Sequence, residues 1–244
     1  LSKTQRQKKL SLGEKKNRRI AIYMWLIPVA AFIIKLITMK NIPYGGWLGA
    51  DGENYTQALD GILKDGFASK EPKLIYWPAG YPMLLWPLAK ISIAHFYQLI
   101  TVIQSTFYGF ASYFFADTIR KSPLKKLAFA TALILSFNPT LSLSSMAVGY
   151  ESPVAACFLI ILALMYRHQV PSKSLNFIGS SVAIGLMLML ASAMQPRYMF
   201  VGIILVALWA LRMSSKKGAA AALVISLGIM SIAPAVLIAR NNAA

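Results

Sequence analysis

Residues 20–39 read IAIYMWLIPVAAFIIKLITM, and eight of the nineteen residues before them are Lys or Arg. About twenty apolar residues in a helix are long enough to cross the hydrocarbon core of a bilayer. The run lacks the small-residue site at which a signal peptide is cleaved. It therefore predicts a retained first transmembrane helix, preceded by a basic segment over residues 1–19 that stays in the cytoplasm.

The composition of the 244-residue chain supports a membrane protein. Hydrophobic residues make up 57% of it and charged residues only 14%, whereas a soluble domain averages about 25% charged residues. The formal net charge of +17 would fit a nucleic-acid-binding protein if the basic residues formed one surface. They cluster between apolar stretches instead, which argues against a nucleic-acid partner.

The apolar stretches predict an all-α polytopic membrane protein with about seven transmembrane helices. They cover residues 20–39, 96–118, 124–143, 150–167, 175–194, 198–212 and 218–239. If the N-terminus is cytoplasmic, seventeen of the 25 basic residues fall on that side, as the positive-inside rule requires. We therefore expect a multi-pass protein of the plasma (inner) membrane, with the loop over residues 40–95 and the C-terminus outside.

The chain starts with Leu1 and stops just after the last apolar stretch. These ends lead us to expect a piece of a longer protein whose C-terminal part is missing.

Residues 74–94, LIYWPAGYPMLLWPLAKISIA, are apolar but contain three prolines. Proline removes helical hydrogen bonds, and the bilayer centre has no water to replace them. The segment therefore predicts an interfacial or re-entrant helix on the outer face. Its aromatic side chains are expected at headgroup level, and they are Tyr76, Trp77, Tyr81 and Trp86.

Five of the eight acidic residues fall between positions 51 and 71, in the first outer loop. Within this loop, residues 54–66 have the spacing of an amphipathic helix that ends at Gly66. Asp51 stands just before the helix, where a carboxylate could accept a proton from a hydroxyl nucleophile. The alternative is that Asp51 merely caps the helix. Glu53 is the second candidate carboxylate.

Three more charged residues lie at the outer ends of predicted spans: Glu151, Arg197 and Arg240. Charged groups near membrane depth are costly unless they are paired or hydrated, so they tend to face a cavity. Glu151 either binds substrate or caps a helix. The two arginines either hold an anionic lipid phosphate or extend to lipid headgroups.

Two charged residues inside predicted spans have simpler interpretations. Lys35 is expected to extend outward to the headgroups. Asp117 stands three residues before Arg120 and is expected to form an ion pair with it.

Four short motifs follow one another along the chain: DGENY at 51–55, WPAGYP at 77–82, YES at 150–152, and QPR at 195–197 with RN at 240–241. In their order and topology they resemble the N-terminal membrane module of GT-C glycosyltransferases, the class of protein O-mannosyltransferases and aminoarabinose transferases. The resemblance covers nearly the whole chain after residue 20.

The resemblance implies a GT-C-like transmembrane module over residues 20–244 that transfers a sugar from a polyprenyl-phosphate donor to an acceptor hydroxyl, with inversion. The acceptor would be a protein, a lipid or a polysaccharide outside the membrane. Asp51 would be the general base, and Glu53 would be a second catalytic carboxylate. No cofactor is specified, and a divalent metal held by the loop carboxylates stays open, since the sequence contains no metal-ligand pattern.

The resemblance also implies which residues bind substrate. Arg197 and Arg240 would steady the departing lipid phosphate, and Tyr55, Tyr81 and Glu151 would contact the bound substrate.

Two other classes of function compete with this interpretation. A transporter would place ionisable residues near the midplane and show inverted repeats, neither of which is obvious here. A non-catalytic lipid-binding or assembly subunit is the third class.

Overall fold

The computed structural model describes residues 3–42, 47–168, 175–213 and 215–243. Over these residues the chain forms helices and no strand; one isolated β-bridge pairs Trp47 with Ala147. The prediction of an all-α fold is confirmed.

The described residues form twelve α-helices. In chain order they are α1 (Lys3–Met39), α2 (Gly52–Asp65), α3 (Pro72–Tyr76), α4 (Gly80–Ile91), α5 (Phe96–Arg120), α6 (Ala128–Phe137), α7 (Pro139–Leu143), α8 (Glu151–Arg167), α9 (Leu175–Met194), α10 (Tyr198–Leu211), α11 (Lys216–Met230) and α12 (Ile232–Ala243).

Four helical stretches of the described chain are long and apolar enough to cross a membrane. They are Asn17–Met39, Phe96–Arg120, Phe177–Met194 and Lys216–Asn242. A fifth span results if the bent pair Lys125–Phe137 and Pro139–Met146, which meet at 47°, counts as one. The chain is therefore a membrane-embedded protein with four or five candidate spans.

The prediction of about seven spans is wrong by this measure, because hydropathy does not show where helices end. The chain turns at residues 195–197, so α10 has only 14 residues. At 1.5 Å per residue it extends about 21 Å, against about 30 Å of hydrocarbon. Helix α8 has 17 residues and is bounded by Glu151 and Arg167. Lys173, one of the charges behind the predicted orientation, lies outside the described residues.

Helix α5 organises the bundle. It packs against α1, α6 and α8, while α9 lies between α8 and α11. The bundle has two distinct ends. Helices α2, α3 and α4 gather at one, which we call the loop end. The other, which we call the basic end, holds the C-terminal ends of α5, α8 and α10.

The predicted loop helix is confirmed as α2, which begins two residues earlier than expected and ends at Gly66. Gly66 has φ +75°, a backbone conformation that side chains disfavour, and it therefore stops the helix. The apolar stripe of α2 is buried in the bundle through Tyr55, Ala58, Leu59 and Ile62. Helix α2 consequently positions the acidic loop against the spans.

The proline-rich segment forms two short helices, α3 and α4, separated by residues 77–79. Helix α4 has 12 residues, too few to cross a bilayer. The placement of Tyr81 at headgroup level is wrong, because its side chain is 2% exposed inside the bundle. Tyr76 is 85% exposed. The rotation of each short helix decides which aromatic side chain is buried.

The placement of Lys35 was also wrong. Its side chain is buried, and Nζ donates a hydrogen bond to Ser145 Oγ at 2.9 Å. The same hydroxyl lies 2.8 Å from Ser105 Oγ, and the Lys35 ammonium stands 5.6 Å from the centre of the Tyr108 ring. Two serine side chains and one tyrosine side chain thus surround the Lys35 ammonium in place of lipid headgroups.

The ion pair of Asp117 with Arg120 is confirmed at 2.6 Å, and it belongs to a larger group at the basic end. Lys121 lies 2.6 Å from the other carboxylate oxygen, and Arg167 reaches that oxygen from α8 at 3.1 Å. One carboxylate therefore joins the ends of α5 and α8.

Close packing at Gly80 gives the first prediction. A Cβ atom there would collide with the backbone carbonyl of Ala193, so α4 can approach α9 only through a glycine. We expect Gly80→Ala to destabilise the protein by about 1–3 kcal/mol through overpacking. Gly179→Ala is the matched control, since a Cβ there meets nothing within 4 Å. Thermal unfolding in detergent measures both, and equal melting temperatures would contradict the prediction.

Candidate functional site

Four tyrosine side chains meet at the loop end and form what we call the tyrosine cluster: Tyr55, Tyr81, Tyr150 and Tyr198. The centre of the Tyr55 ring lies 4.9 Å from that of Tyr81 and 6.3 Å from that of Tyr150, both edge to face. Tyr150 in turn lies 6.4 Å from Tyr198. Side chains from α2, α4, α10 and the segment before α8 thus share one cluster.

A short backbone pairing joins the segment before α2 to the segment before α8. Trp47 N–H donates to the Met146 carbonyl at 3.0 Å, and Val148 N–H donates to the Trp47 carbonyl at 2.8 Å. The pairing is parallel, and Asp51 and Glu151 each follow it by four residues. Both carboxylates therefore lie at the loop end, and the pairing of the two segments is the feature that sequence spacing could not show.

The hydroxyl of Tyr81 connects α4 to two other segments. It accepts hydrogen bonds from Gln104 Nε2 at 2.8 Å and from the Gly149 N–H at 2.9 Å. Burial raises the pKa of Tyr81 far above its ordinary value, and the charge of Glu151 raises it further, although the two hydrogen bonds oppose the shift. The phenol therefore stays protonated and keeps its own proton available for an acceptor.

Tyr55 is the centre of the cluster. Its hydroxyl is shielded from solvent and makes no hydrogen bond of ordinary geometry with a described residue. Burial raises the pKa of Tyr55 far above its usual range; the neighbouring Trp77 side chain opposes the shift, and the charges of Tyr150, Asp51 and Glu151 add to it. Tyr55 is consequently a neutral phenol on which the charges of both carboxylates act.

Asp51 occupies the position just before α2 without capping it. Its side chain makes no cap hydrogen bond, and within the described residues it has no ion pair. The residue is partly exposed. The interpretation of Asp51 as a simple helix cap therefore lacks the hydrogen bond that would define it, and both carboxylate oxygens remain available.

Glu53 lies away from the tyrosine cluster. Its side chain is exposed on α2 and accepts a hydrogen bond from Gln57 Nε2 at 3.2 Å. The structure thus separates the two candidate carboxylates: the charge of Asp51 acts on Tyr55, whereas Glu53 forms its hydrogen bond along the surface of its own helix.

Glu151 begins α8, and its side chain folds back over Gly149. A Cβ atom on Gly149 would collide with the Glu151 carboxylate. The charge of this exposed carboxylate acts on both Tyr55 and Tyr81. A negative group in the first turn also interacts favourably with the helix dipole, so binding and capping remain compatible.

Arg197 places a positive charge at the rim of the cluster. Its Nη2 donates to the Tyr150 hydroxyl at 2.7 Å, and its guanidinium lies 5.9 Å and 5.5 Å from the ring centres of Tyr150 and Tyr198. The side chain is exposed and forms no ion pair with a described carboxylate. Its remaining N–H groups can therefore bind an anion.

Arg240 makes a different set of contacts. It donates hydrogen bonds to the carbonyls of Phe67 (2.8 Å), Ser69 (2.6 Å) and Leu74 (3.0 Å), and to Asn241 Oδ1 (2.7 Å). These bonds fasten α12 to the turn between α2 and α3. A guanidinium has five N–H groups, so one is left for a ligand.

A groove of about 600 Å³ adjoins the site between α3, the turn before α10, and α12. Its walls are mostly apolar. The residues that matter for its shape are Tyr76, Trp77, Pro78, Pro196, Pro234 and Leu237. The groove borders the turn that carries Arg197, so it places an apolar channel next to a cation.

Sequence reasoning did not identify Gln104 as the hydrogen-bond partner of Tyr81; the Gln104 side chain is buried in α5. The signal was present, because a polar residue within an apolar span usually faces another polar group.

No cluster of three or more His, Cys, Asp or Glu side chains that could hold a metal occurs in the described parts of the chain. The possibility of a divalent metal held by the loop carboxylates therefore gains no support from the described residues.

The fold and the site define an all-α membrane protein with a cluster of tyrosine, carboxylate and arginine side chains at one end of its bundle. Comparison with protein-family models, curated proteins and solved structures gives no match.

The Tyr81 hydroxyl gives the second prediction. Tyr81→Phe leaves the buried Gly149 N–H without its acceptor, which we expect to cost about 1–3 kcal/mol of stability. Tyr76→Phe removes a hydroxyl from an exposed side chain and serves as control. Thermal unfolding in detergent compares the two variants. A Tyr81→Phe protein as stable as Tyr76→Phe would show that the two hydrogen bonds contribute nothing.

Proposed function

We propose that the chain is a GT-C-like membrane module that transfers a sugar from a polyprenyl-phosphate donor to an acceptor hydroxyl. The loop end would face outward from the plasma (inner) membrane and the N-terminus inward, because the basic residues gather at the opposite end. The observation that carries the proposal is the Asp51 carboxylate, which directly precedes α2 without capping it and whose charge acts on Tyr55.

The proposed chemistry needs a base, and Asp51 fits that need. Its carboxylate would take the proton of the acceptor hydroxyl as the acceptor oxygen attacks the anomeric carbon of the sugar. The bond between that carbon and the phosphate oxygen breaks, and the electron pair leaves with the polyprenyl phosphate. Attack opposite the leaving group inverts the anomeric centre.

The leaving phosphate needs a cation, and Arg197 is placed to supply it. Its guanidinium is held by the Tyr150 hydroxyl yet exposed at the rim. Charge-assisted hydrogen bonds to phosphate are strong, and a guanidinium can make two of them at once. Arg240 would contribute through its one remaining N–H while it holds the loop in place.

The remaining groups would orient the donor. Glu151 is exposed and would accept a hydrogen bond from a sugar hydroxyl, whereas Tyr55 and Tyr81 are buried and would fix the shape of the site behind the sugar. The adjoining groove would hold the first part of the prenyl chain, whose burial is favourable by about 0.8 kcal/mol per CH₂ group.

A transporter is the second candidate, and buried Lys35 is the observation that favours it. An ionisable residue inside a span often marks a substrate pathway. Lys35, Ser105 and Ser145 form a polar group between α1, α5 and the segment before α8.

The general base gives the third prediction. We expect Asp51→Asn to lower transfer from radiolabelled polyprenyl-phosphate sugars to membrane acceptors by roughly 10²- to 10⁴-fold. Thermal stability should not change, because the Asp51 side chain makes no hydrogen bond to α2, and the hydrogen bond from the Tyr55 N–H to the Asp51 carbonyl belongs to the backbone. Asp60→Asn, an exposed carboxylate on the same helix, is the control.

Full activity of Asp51→Asn would remove Asp51 as the base. If the unsubstituted protein transfers no sugar from any of several donors, the transporter or a non-catalytic subunit becomes the better interpretation.

The phosphate contact gives the fourth prediction. We expect Arg197→Gln to raise KM for the polyprenyl-phosphate sugar by roughly tenfold or more, since a charged hydrogen bond contributes about 1.5–3 kcal/mol. Lys90→Gln removes an exposed positive charge from the same end of the bundle and should change KM little. An equal increase in both variants would show that Arg197 acts only through long-range attraction.

A further inference from the structure

A second groove of about 370 Å³ lies at the basic end, at the opposite end of the bundle from the tyrosine cluster. It runs between α5, α8 and α10. Helix α10 packs on α9 and α11 and stands away from α5, which leaves this space open. Most of the wall is apolar and comes from Phe115, Ile119, Leu162, Met165, Leu205 and Leu208.

The groove has a positive charge at one end. Arg212 lines it directly after α10, is exposed, and has no hydrogen bond or ion pair from its side chain within the described chain. Tyr166, also in the lining, is partly exposed at the end of α8. A free guanidinium at the mouth of an apolar channel is complementary to an anionic head attached to an apolar tail.

A second observation points to a ligand. Trp209 lines the groove one turn before Arg212, and its side chain is 3% exposed. Its indole N–H finds no hydrogen-bond partner among the described residues. A buried donor without a partner is costly, so a ligand that brings an acceptor oxygen to this wall would relieve the cost.

The surrounding charges exclude a cationic ligand. Asp117 is the carboxylate nearest in sequence to the groove lining, and its two oxygens are occupied by Arg120, Lys121 and Arg167. The basic end therefore carries an excess of positive charge. Basic pockets between transmembrane helices of this kind bind the headgroups of anionic lipids.

We propose that this groove binds one anionic phospholipid of the bilayer. An acyl chain lies between α5, α8 and α10, the phosphate binds Arg212, and an ester oxygen accepts the Trp209 indole N–H. The site is separate from the proposed transfer reaction and does not depend on it.

The test uses the purified protein in detergent, with bound lipid counted by native mass spectrometry. The probes are dioleoyl phosphatidylglycerol and, as the neutral control, dioleoyl phosphatidylcholine. We expect one phosphatidylglycerol to bind about tenfold more tightly than phosphatidylcholine. Arg212→Gln should remove that difference, whereas Lys216→Gln, which removes an exposed charge nearby, should retain it.

Two further variants test the apolar channel and the indole. Leu208→Trp fills the groove and should weaken binding of both lipids, and Trp209→Phe should weaken binding while keeping the shape of the wall. Inorganic phosphate should not displace the lipid. The proposal is overturned by equal binding of the two lipids, by equal losses in Arg212→Gln and Lys216→Gln, or by displacement with phosphate.

Discussion

The hydroxyl of Tyr81 is the contact on which the loop end depends. One oxygen, buried among apolar side chains, accepts hydrogen bonds from Gln104 in α5 and from the Gly149 backbone before α8. Gln104 also donates to the Ala147 carbonyl at 3.3 Å, but the buried Gly149 N–H would lose its acceptor without the Tyr81 hydroxyl, at the cost of an unpaired buried donor. The hydroxyl therefore fixes the position of α4 relative to α5 and to the segment before α8. The Tyr55 ring packs against the Tyr81 ring, and the Tyr150 ring packs against that of Tyr55. The backbone segments before α2 and α8 then determine where the Asp51 and Glu151 carboxylates lie.

The charged side chains at the two ends of the bundle differ in whether they form ion pairs. At the basic end, Asp117 is saturated by three basic side chains and serves to join helices. At the loop end, Asp51 has no such partner, and Arg197 is held by a neutral phenol. Charged groups that are held in place but left unpaired are suited to act on a ligand. This difference supports the proposed placement of the transfer reaction at the loop end and of the lipid at the basic end.

Residues of the same type also differ in what they do. Arg197 and Arg240 both end up at the loop end, but Arg240 uses four of its N–H groups on three backbone carbonyls and Asn241. Arg240 therefore links α12 to the turn between α2 and α3. Lys35 was expected among headgroups, yet it faces Ser145 inside the bundle. A long basic side chain at the end of a span can turn either way, and the neighbouring helices decide which.

The sequence by itself determined the all-α membrane class and the amphipathic helix α2 with its stop at Gly66. These features depend on hydrogen bonds and apolar periodicity within a few residues. Only the tertiary structure decided the number of long spans, the burial of Tyr81, the outward direction of Glu53, and the pairing of the segments that precede Asp51 and Glu151. Each of these features depends on where a helix ends or how it is rotated. The ends and rotations of the helices are determined by contacts between segments that are remote in sequence, such as the pairing of Trp47 with Ala147.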